Sequence, residues 1–436
     1  MKKWLTILLL TTSLIRSASQ SLYFPPVSGN AWETLSPESL NWCQWKIDSL
    51  YAYLEANNTK AFIVLKGGKI VLEKYFGTHT QSTAWQWASA GKTITSFMVG
   101  IAQQERKLSI QDPTSKYLGK GWTDCTPTQE DKITIRHQLT MTSGLDDGVG
   151  DPYCTLDTCL RYKADAGTRW AYHNGPYTLL DQVIEAATGM TLNTYATQKL
   201  KIPTGMTGAF FQVGYNNVYF STARSMARFG LLILNQGKWG ETAVMTDTAY
   251  FRQMVNTSQN INLSYGYLWW LNGKQGYMLP GPQTVFNGFF NINGPADMIV
   301  AMGRDGQFLN VVPSQQLVML RMGNAPSSLP VPAFMNNEIW KYLNNLECGA
   351  TRVRERQQED RGVKVFPNPA KQVFTVQAQD KITSVQIFHI SGQLLQQVTV
   401  QGNAQDIPID DLPKGLYLVK IWFEDGLPWL GKVYKG

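Results

Sequence analysis

Residues 61–76, AFIVLKGGKIVLEKYF, hold two β-rich apolar runs around Lys66-Gly67-Gly68-Lys69. Two such runs joined by a short glycine turn predict a hairpin. The period then lengthens. Apolar residues spaced three and four apart, or closed by a glycine stop, predict helices over 89–105, 135–142 after a Thr134 cap, 176–188, 192–200 and 222–235. The same spacing predicts an early helix over about 37–55 and a late one over about 332–347. From residue 265 the period shortens again, and Tyr265 to Leu271, Ile299 to Gly303, Gln307 to Pro313 and Leu317 to Met322 read as strands. Strands at both ends of a helical middle predict a mixed α/β (α+β) fold. Its antiparallel sheet is assembled from distant segments, flanked by helices, with a helical subdomain inserted.

The texture changes twice more. Residues 1–19 run from Lys2-Lys3 through the apolar stretch Leu5 to Ile15 to the small residues Ser17-Ala18-Ser19, the pattern of a secretory signal peptide. That run is too short to span a bilayer, and no other stretch approaches the ~20 apolar residues of a transmembrane helix. Residues 20–348 make the large domain and 349–362 a charged linker. Residues 363–436 carry about seven short β-type runs, including Phe374 to Gln377, Val385 to Ile390, Leu394 to Val400 and Leu416 to Trp422. Turn signals at Pro367-Asn368-Pro369, Ser391-Gly392 and Pro413-Lys414-Gly415 separate them, which predicts a small all-β sandwich.

Composition narrows the function classes. At 436 residues, 43% hydrophobic and 16% charged, the chain is too apolar for disorder. Its 12% aromatic residues supply a large core and an aromatic-lined cleft. Net charge is +7, and loss of the leader removes Lys2, Lys3 and Arg16 from it. The cluster Arg352, Arg354, Arg356 and Arg361 is interleaved with Glu355, Glu359 and Asp360, a solvated linker rather than a nucleic-acid-binding face. Export permits disulfides. Cys154 and Cys159 bracket a short loop and form the first expected pair; antiparallel packing of the early and late helices would bring Cys43 to Cys348, leaving Cys125 over. With no CxxC, no HExxH and four His, no metal site is expected.

The candidate chemistry begins at Ser89-Ala90-Gly91-Lys92, an S-x-x-K match whose spacing puts both side chains on one helix face. A serine hydroxyl needs an adjacent base, and a desolvated lysine can serve. The rival reading of Gly91-Lys92-Thr93 as the end of a phosphate loop fails, because Gln86 stands where the first glycine is required. Tyr172-His173-Asn174 offers a phenol and an amide on one side of the chain, with His173 turned away into a structural role. Tyr-x-Asn also occurs at Tyr215 and Tyr342; the second falls in the late amphipathic helix, and the first remains a competitor. Arg304-Asp305-Gly306-Gln307, at a turn between strands, offers a cation and an unencumbered backbone to an anionic group, with Lys274-Gln275-Gly276 as a substitute.

Taken together in this order, Ser89-x-x-Lys92, Tyr172-x-Asn174 and a cation-x-Gly triplet resemble the penicillin-recognising serine hydrolases: class C β-lactamases, D-alanyl-D-alanine carboxypeptidases and related esterases and amidases. Ile133 to Leu145 (ITIRHQLTMTSGL), Asp112 to Leu118 (DPTSKYL) and Tyr172 to Asp181 (YHNGPYTLLD) are similar to that family's segments too, so the resemblance covers about 35–347. It implies a β-lactamase-like domain in which Ser89 forms an acyl-enzyme and Lys92 and Tyr172 share general-base and general-acid work. Asn174 would position the substrate or Lys92. The backbone N–H groups of Ser89 and Gln307 would form the oxyanion hole, Arg304 and Gly306 would bind substrate, and no cofactor or metal would be needed. The third motif departs from the family's usual Lys or His. Arg304 can hold a carboxylate but not shuttle protons, which favours an ester, amide or peptide substrate over a β-lactam. The alternatives are a true β-lactamase and a non-catalytic protein of this fold that binds peptidoglycan fragments or peptides.

Residues 363–436 resemble a second family, the C-terminal sorting domains of the type IX secretion system of Bacteroidetes. The matching features are Phe366-Pro367-Asn368-Pro369, the run Ile387 to Gly392, Leu412-Pro413-Lys414-Gly415-Leu416-Tyr417 and the terminal Lys432-Val433-Tyr434-Lys435. That resemblance implies handling by the secretion machinery and a secreted or cell-surface location. Trp269, Trp270 and the other aromatics near 265–271 could line a cleft, but their alternation suits a half-buried strand and favours the core.

Overall fold

The computed structural model describes residues 22–325, 333–348, 361–390 and 392–436. The leader expected over 1–19 and residues 349–360 of the linker lie outside them. Thr59–Lys66 and Lys69–Tyr75 form the hairpin that their apolar runs predict. Its Gly68 is required twice over: φ is 85°, and a Cβ there would lie 1.9 Å from the Tyr23 carbonyl oxygen.

The hairpin is one edge of a six-stranded sheet. In spatial order the strands are Lys69–Tyr75, Thr59–Lys66, Leu317–Gly323, Gln307–Val312, Ile299–Gly303 and Trp270–Leu271, with every neighbouring pair antiparallel. Gln307–Val312 and Leu317–Gly323 are buried along their whole length, because helices cover both faces. Alternation along one strand shows it. A Cβ on Gly230, in helix Ala223–Leu234, would meet Leu309 and Val318, while the next residue, Asn310, exchanges amide hydrogen bonds of 3.1 and 2.9 Å with Asn336 of helix Ala333–Leu343. Helix Gln44–Ala56 lies with Ala333–Leu343, where Tyr53 stacks on Tyr342 at 4.9 Å. Cys43, which precedes the first of these helices, is joined to Cys348 beyond the second; Cys154 is joined to Cys159, and Cys125 remains a thiol.

Between the two halves of the sheet sits the helical insertion. Its central helix, Lys92–Gln104, is buried from Lys92 to Ala102. Several elements differ from the periodicity. The predicted 89–105 helix starts with a 3-10 turn, Ala88–Gly91; the 176–188 helix divides into Asn174–Thr178 and Leu180–Thr188; 135–142 shortens to Ile135–Leu139 behind its Thr134 cap. Of the strand expected over 265–271 only Trp270–Leu271 pairs in the sheet. Leu268 takes a φ of 63° and the chain doubles back so that Tyr265 bridges Trp270.

A second compact unit follows Cys348 and is all-β in its described residues. The expected short runs merge into five strands of one curled sheet. Val373–His389 is 17 residues long and pairs with Leu394–Pro408 along both halves, with register shifts near Ile382 that let one strand bend and continue. Along Gly415–Phe423, Tyr417, Val419, Ile421 and Phe423 alternate into its core. Lys435 is buried at the end of the last strand, its amine donating to the carbonyls of Ile409, Asp410 and Leu412.

The Cys43–Cys348 bridge closes a loop of 305 residues. Replacing both cysteines by serine should lower the stability of the large unit by about 3 kcal/mol, read from urea unfolding of the full chain followed by tryptophan fluorescence. An unchanged midpoint would show that the helix contacts alone hold the two ends.

Candidate active site

Trp87 fixes the start of the nucleophile turn. The indole is fully buried, its Nε1 donates to Ser221 Oγ at 2.8 Å, and its backbone N–H donates to the Tyr219 carbonyl at 2.8 Å. Ala88 follows at φ 46°, a left-handed conformation that costs a residue with a Cβ on the order of 1 kcal/mol. The tight 3-10 turn that results leaves Ser89 half-buried at its tip, one turn ahead of Lys92, the first residue of the long helix.

Lys92 is 3% exposed, and its Nζ donates to Ser89 Oγ at 3.0 Å. No carboxylate among the described residues lies within ion-pair distance of it. Burial pushes the amine down to about 7, against the opposing pull of ionised Asp181. Its Nζ sits 4.1 Å from the ring centre of Tyr177 and 5.3 Å from that of Tyr172.

Tyr172 reaches this point through a chain of backbone anchors. The Ala171 N–H donates to the Met141 carbonyl at 2.9 Å. Gln138 joins three segments, accepting from Thr114 Oγ1 at 2.7 Å and donating to the Pro176 carbonyl at 2.6 Å. Burial raises the Tyr172 phenol further above its ordinary value, and a hydrogen bond with Ser89 opposes the rise. Its ring stacks on Trp270 at 5.8 Å. Asn174 opens the next helix, buried, with its Oδ1 unpartnered among the described residues. His173 is 1% exposed with both ring nitrogens unpartnered, and burial drives it down to about 4, so it is a neutral packing residue. The competing Tyr215 sits 37% exposed in the turn between Ala209–Val213 and Asn216–Ser221, and Tyr342 stacks in the helix pair described above. Trp269 and Trp270 are both buried, the first against Phe229 and the second against Tyr172.

The third element is the turn Arg304–Gly306 and the start of the strand that follows it. The Arg304 side chain is 65% exposed and only 3.9 Å at its nearest from the Asp305 carboxylate. Gly306 closes the turn at φ 77°. The Gln307 side chain is used structurally, donating to the Gly323 carbonyl at 2.6 Å and accepting from the Gly323 N–H at 3.0 Å. The glycine that meets the nucleophile turn is Gly303, where a Cβ would lie 2.3 Å from the Trp87 carbonyl oxygen and 3.1 Å from the Ser89 nitrogen. Lys274 is half-buried in the segment after Trp270–Leu271 and makes no ion pair among the described residues.

Two functional neighbours were not singled out from the sequence. Asp181 is 5% exposed and accepts from Thr95 Oγ1 at 3.1 Å and from Asn217 Nδ2 at 3.2 Å; burial raises its carboxyl to about 7. Its signal was an acid on a helix face otherwise made of Leu180, Val183 and Ile184. Arg321 is fully buried and donates to the carbonyls of Asp305, Gly306, Asn57 and Asn324 and to Thr59 Oγ1. It clamps the 304–306 turn to the sheet, and its signal was one cation in the apolar strand LVMLRMG.

Comparison with known proteins identifies the family of each unit. The beta-lactamase family matches residues 55–344, and the secretion system C-terminal sorting domain matches residues 364–427. An uncharacterized protein of Alkalihalophilus pseudofirmus is 24% identical over 310 residues, 62% of this chain and 85% of that protein. The 6-aminohexanoate-dimer hydrolase of Paenarthrobacter ureafaciens is 23% identical over 278 residues, 53% of this chain and 68% of its own. A solved structure described as a beta-lactamase from Bacteroides dorei has the same fold, with a TM-score of 0.56 at 17% identity over 70% of this chain and 99% of that one. The sorting domain marks the chain for type IX secretion to the cell surface or exterior, and among the described residues no helix is long and apolar enough to cross a membrane. With more than half of its length matched, the chain belongs to the beta-lactamase family and carries a C-terminal type IX sorting domain.

Proposed function

We propose that the protein is an exported serine hydrolase that cleaves an ester or amide bond, peptidoglycan-related peptides among the amides, through an acyl-enzyme on Ser89. The observation that carries this reading is the buried, carboxylate-free Lys92 amine 3.0 Å from Ser89 Oγ. An amine pushed down to about 7 is substantially neutral at physiological pH and can accept the serine proton. Tyr172, displaced upward, stays a phenol, so it acts as the hydrogen-bond donor and acid rather than as the base.

The steps balance without a cofactor. Ser89 Oγ attacks the carbonyl carbon while its proton passes to Lys92 Nζ. The backbone N–H groups of Ser89 and Gln307 take the developing oxyanion, with the helix N-terminus adding positive potential. Collapse expels the leaving group, which takes the proton back from Lys92 through Tyr172. Water then attacks the acyl carbon and gives its proton to Lys92; as the acyl–Oγ bond breaks, Lys92 returns that proton to Ser89 Oγ and the acid leaves. Asn174, with a free Oδ1, orients the substrate or the lysine, and the turn that carries exposed Arg304 and buried Gly306 contributes to substrate binding.

Treating the purified full chain with a fluorophosphonate should add one adduct on Ser89, mapped by peptide mass spectrometry. Ser89→Ala should lose it entirely, and Lys92→Ala should slow it about a thousandfold. An adduct on another serine, or none on folded protein, refutes the assignment. The labelling rate should rise with pH through about 7 as Lys92 loses its proton. Ionised Asp181 holds that proton more tightly, so Asp181→Asn should move the midpoint to lower pH; a purely structural role would leave it in place.

Stability carries the same signature with the opposite outcome for Lys92→Met. A lysine whose folded value lies below its unfolded one binds fewer protons when folded, so its penalty grows as pH falls from 10.5 to about 7 and is constant below. Lys92→Met should therefore be inactive yet more stable than the natural protein, by on the order of 4 kcal/mol at pH 7 and less at pH 9, in urea unfolding. A variant less stable at every pH would show that the amine is not held against a desolvation cost.

A further inference from the structure

From the site outward, aromatic rings form a continuous wall. Tyr172 stacks on Trp270, Trp270 stacks on Phe290 at 5.0 Å and 9°, Phe290 meets Tyr277 edge-on at 5.7 Å, and Tyr277 stacks on Phe286 at 5.4 Å. Exposure grades along it: Trp270 is 3% exposed, Phe290, Tyr277 and Phe286 are half-buried, and neighbouring Phe289 is 43% exposed. The rings thus run without a break from Tyr172, whose ring centre lies 5.3 Å from Lys92 Nζ, to half-buried Phe286, with exposed Phe289 next in sequence to Phe290.

At the buried end two donors have no partner among the described residues. Tyr265 is 0% exposed and Trp170 1%, and the phenol hydroxyl of the first and the Nε1 of the second are both unsatisfied. Their rings pack on each other at 5.4 Å, and both pack on Trp270. Unpaired buried donors are costly unless a ligand or water meets them. The wall is fastened in place by Gln283, whose Nε2 donates to the Trp170 carbonyl at 3.1 Å.

Charge is nearly absent from this side. Residues 272–296 include one charged side chain, Lys274, and the strand against the nucleophile turn, Ile299–Gly303, has none. Arg304 points to solvent. A carboxylate on the substrate would be desolvated here without a buried partner, whereas a flat apolar group would exchange water for ring faces.

We infer that this aromatic wall is the substrate-binding face and that it selects an uncharged substrate carrying a planar apolar group, an aromatic ring above all, beside the bond that Ser89 attacks. This rests on the acyl-enzyme reading and names its substrate class.

Boronic acids test it, because boron bonds to Ser89 Oγ as the serine proton passes to Lys92, giving a tetrahedral boronate whose single side group can lie on either side of the site. Protection of the full chain against fluorophosphonate labelling of Ser89 would be measured for methylboronic acid, 2-phenylethylboronic acid and its para-carboxy analogue. The phenylethyl compound should protect at a concentration at least about tenfold lower than the methyl compound, and the carboxylate should lose at least about fivefold of that advantage. In Phe290→Ala the phenylethyl-to-methyl ratio should fall at least about fivefold, while Phe290→Tyr retains it; if the alanine variant does not fold, Phe290→Leu takes its place. Equal protection by methyl and phenylethyl, a ratio indifferent to residue 290, or tightest binding by the carboxylate would overturn the inference while leaving Ser89 labelling intact. Absence of Ser89 labelling would overturn the acyl-enzyme reading itself, and this inference with it.

Discussion

An amine kept out of water beside a serine hydroxyl, with no carboxylate pressed against it, is the constraint around which the large unit is arranged. A contact ion pair would hold Lys92 permanently protonated and remove the base. Asp181 shows how that is avoided. It sits below Thr95, one helical turn past Lys92, and spends its oxygens on the Thr95 hydroxyl and the Asn217 amide. Its field reaches the lysine, but each of its oxygens already accepts a hydrogen bond and no contact ion pair forms. The pair is thus held near the balance point between charged and neutral forms, and burial is the larger cause at each member.

Holding a reactive pair in place to within a fraction of an ångström requires rigid surroundings, and here they come from the backbone. Trp87 ties the nucleophile turn to the Asn216–Ser221 strand, and Gly303 lets the sheet edge close on the same turn without a side chain between. Arg321 completes the frame. A buried guanidinium satisfied by four carbonyls and a hydroxyl, rather than by an acid, joins the 304–306 turn to the first sheet strand and the end of helix Gln44–Ala56. Lysine could not replace it, since its three donors cannot span that fork.

The sheet was legible in the sequence because its strands alternate or run apolar over five residues or more, long enough for the period to speak. Tyr265 to Leu271 was not, because the reversal at Leu268 is a tertiary solution with no turn residue to announce it. Ser89 and Lys92 were legible as a spacing. Their setting was not: the left-handed Ala88 is imposed by the anchors of Trp87, which come from residues 219 and 221. Gly303 and Gly306 flank the same turn, and only the packing against Trp87 and Ser89 distinguishes their roles. Asn217, part of the competing Tyr215-x-Asn217 match, enters the site by another route, as a donor to Asp181. In the sorting domain the runs were visible but their fusion was not, because register shifts near Ile382 turn two short strands into one bent one.

The proposed acyl-enzyme mechanism asks the site to favour a neutral lysine at rest and a charged one in the transition state. Desolvation supplies the first preference. The second comes from groups already in position: as the serine proton arrives on Nζ, the new ammonium lies 4.1 Å from the face of Tyr177 and 5.3 Å from that of Tyr172, whose quadrupoles attract a cation and ignore a neutral amine. Asp181 adds attraction that acts only on the protonated form. In that proposed mechanism the helix N-terminus and the Ser89 N–H would meet the oxyanion on the other side of the reacting carbonyl. None of these groups has to move, so the charge separation created by attack is stabilised by an arrangement whose cost was met in folding, chiefly in the burial of Lys92.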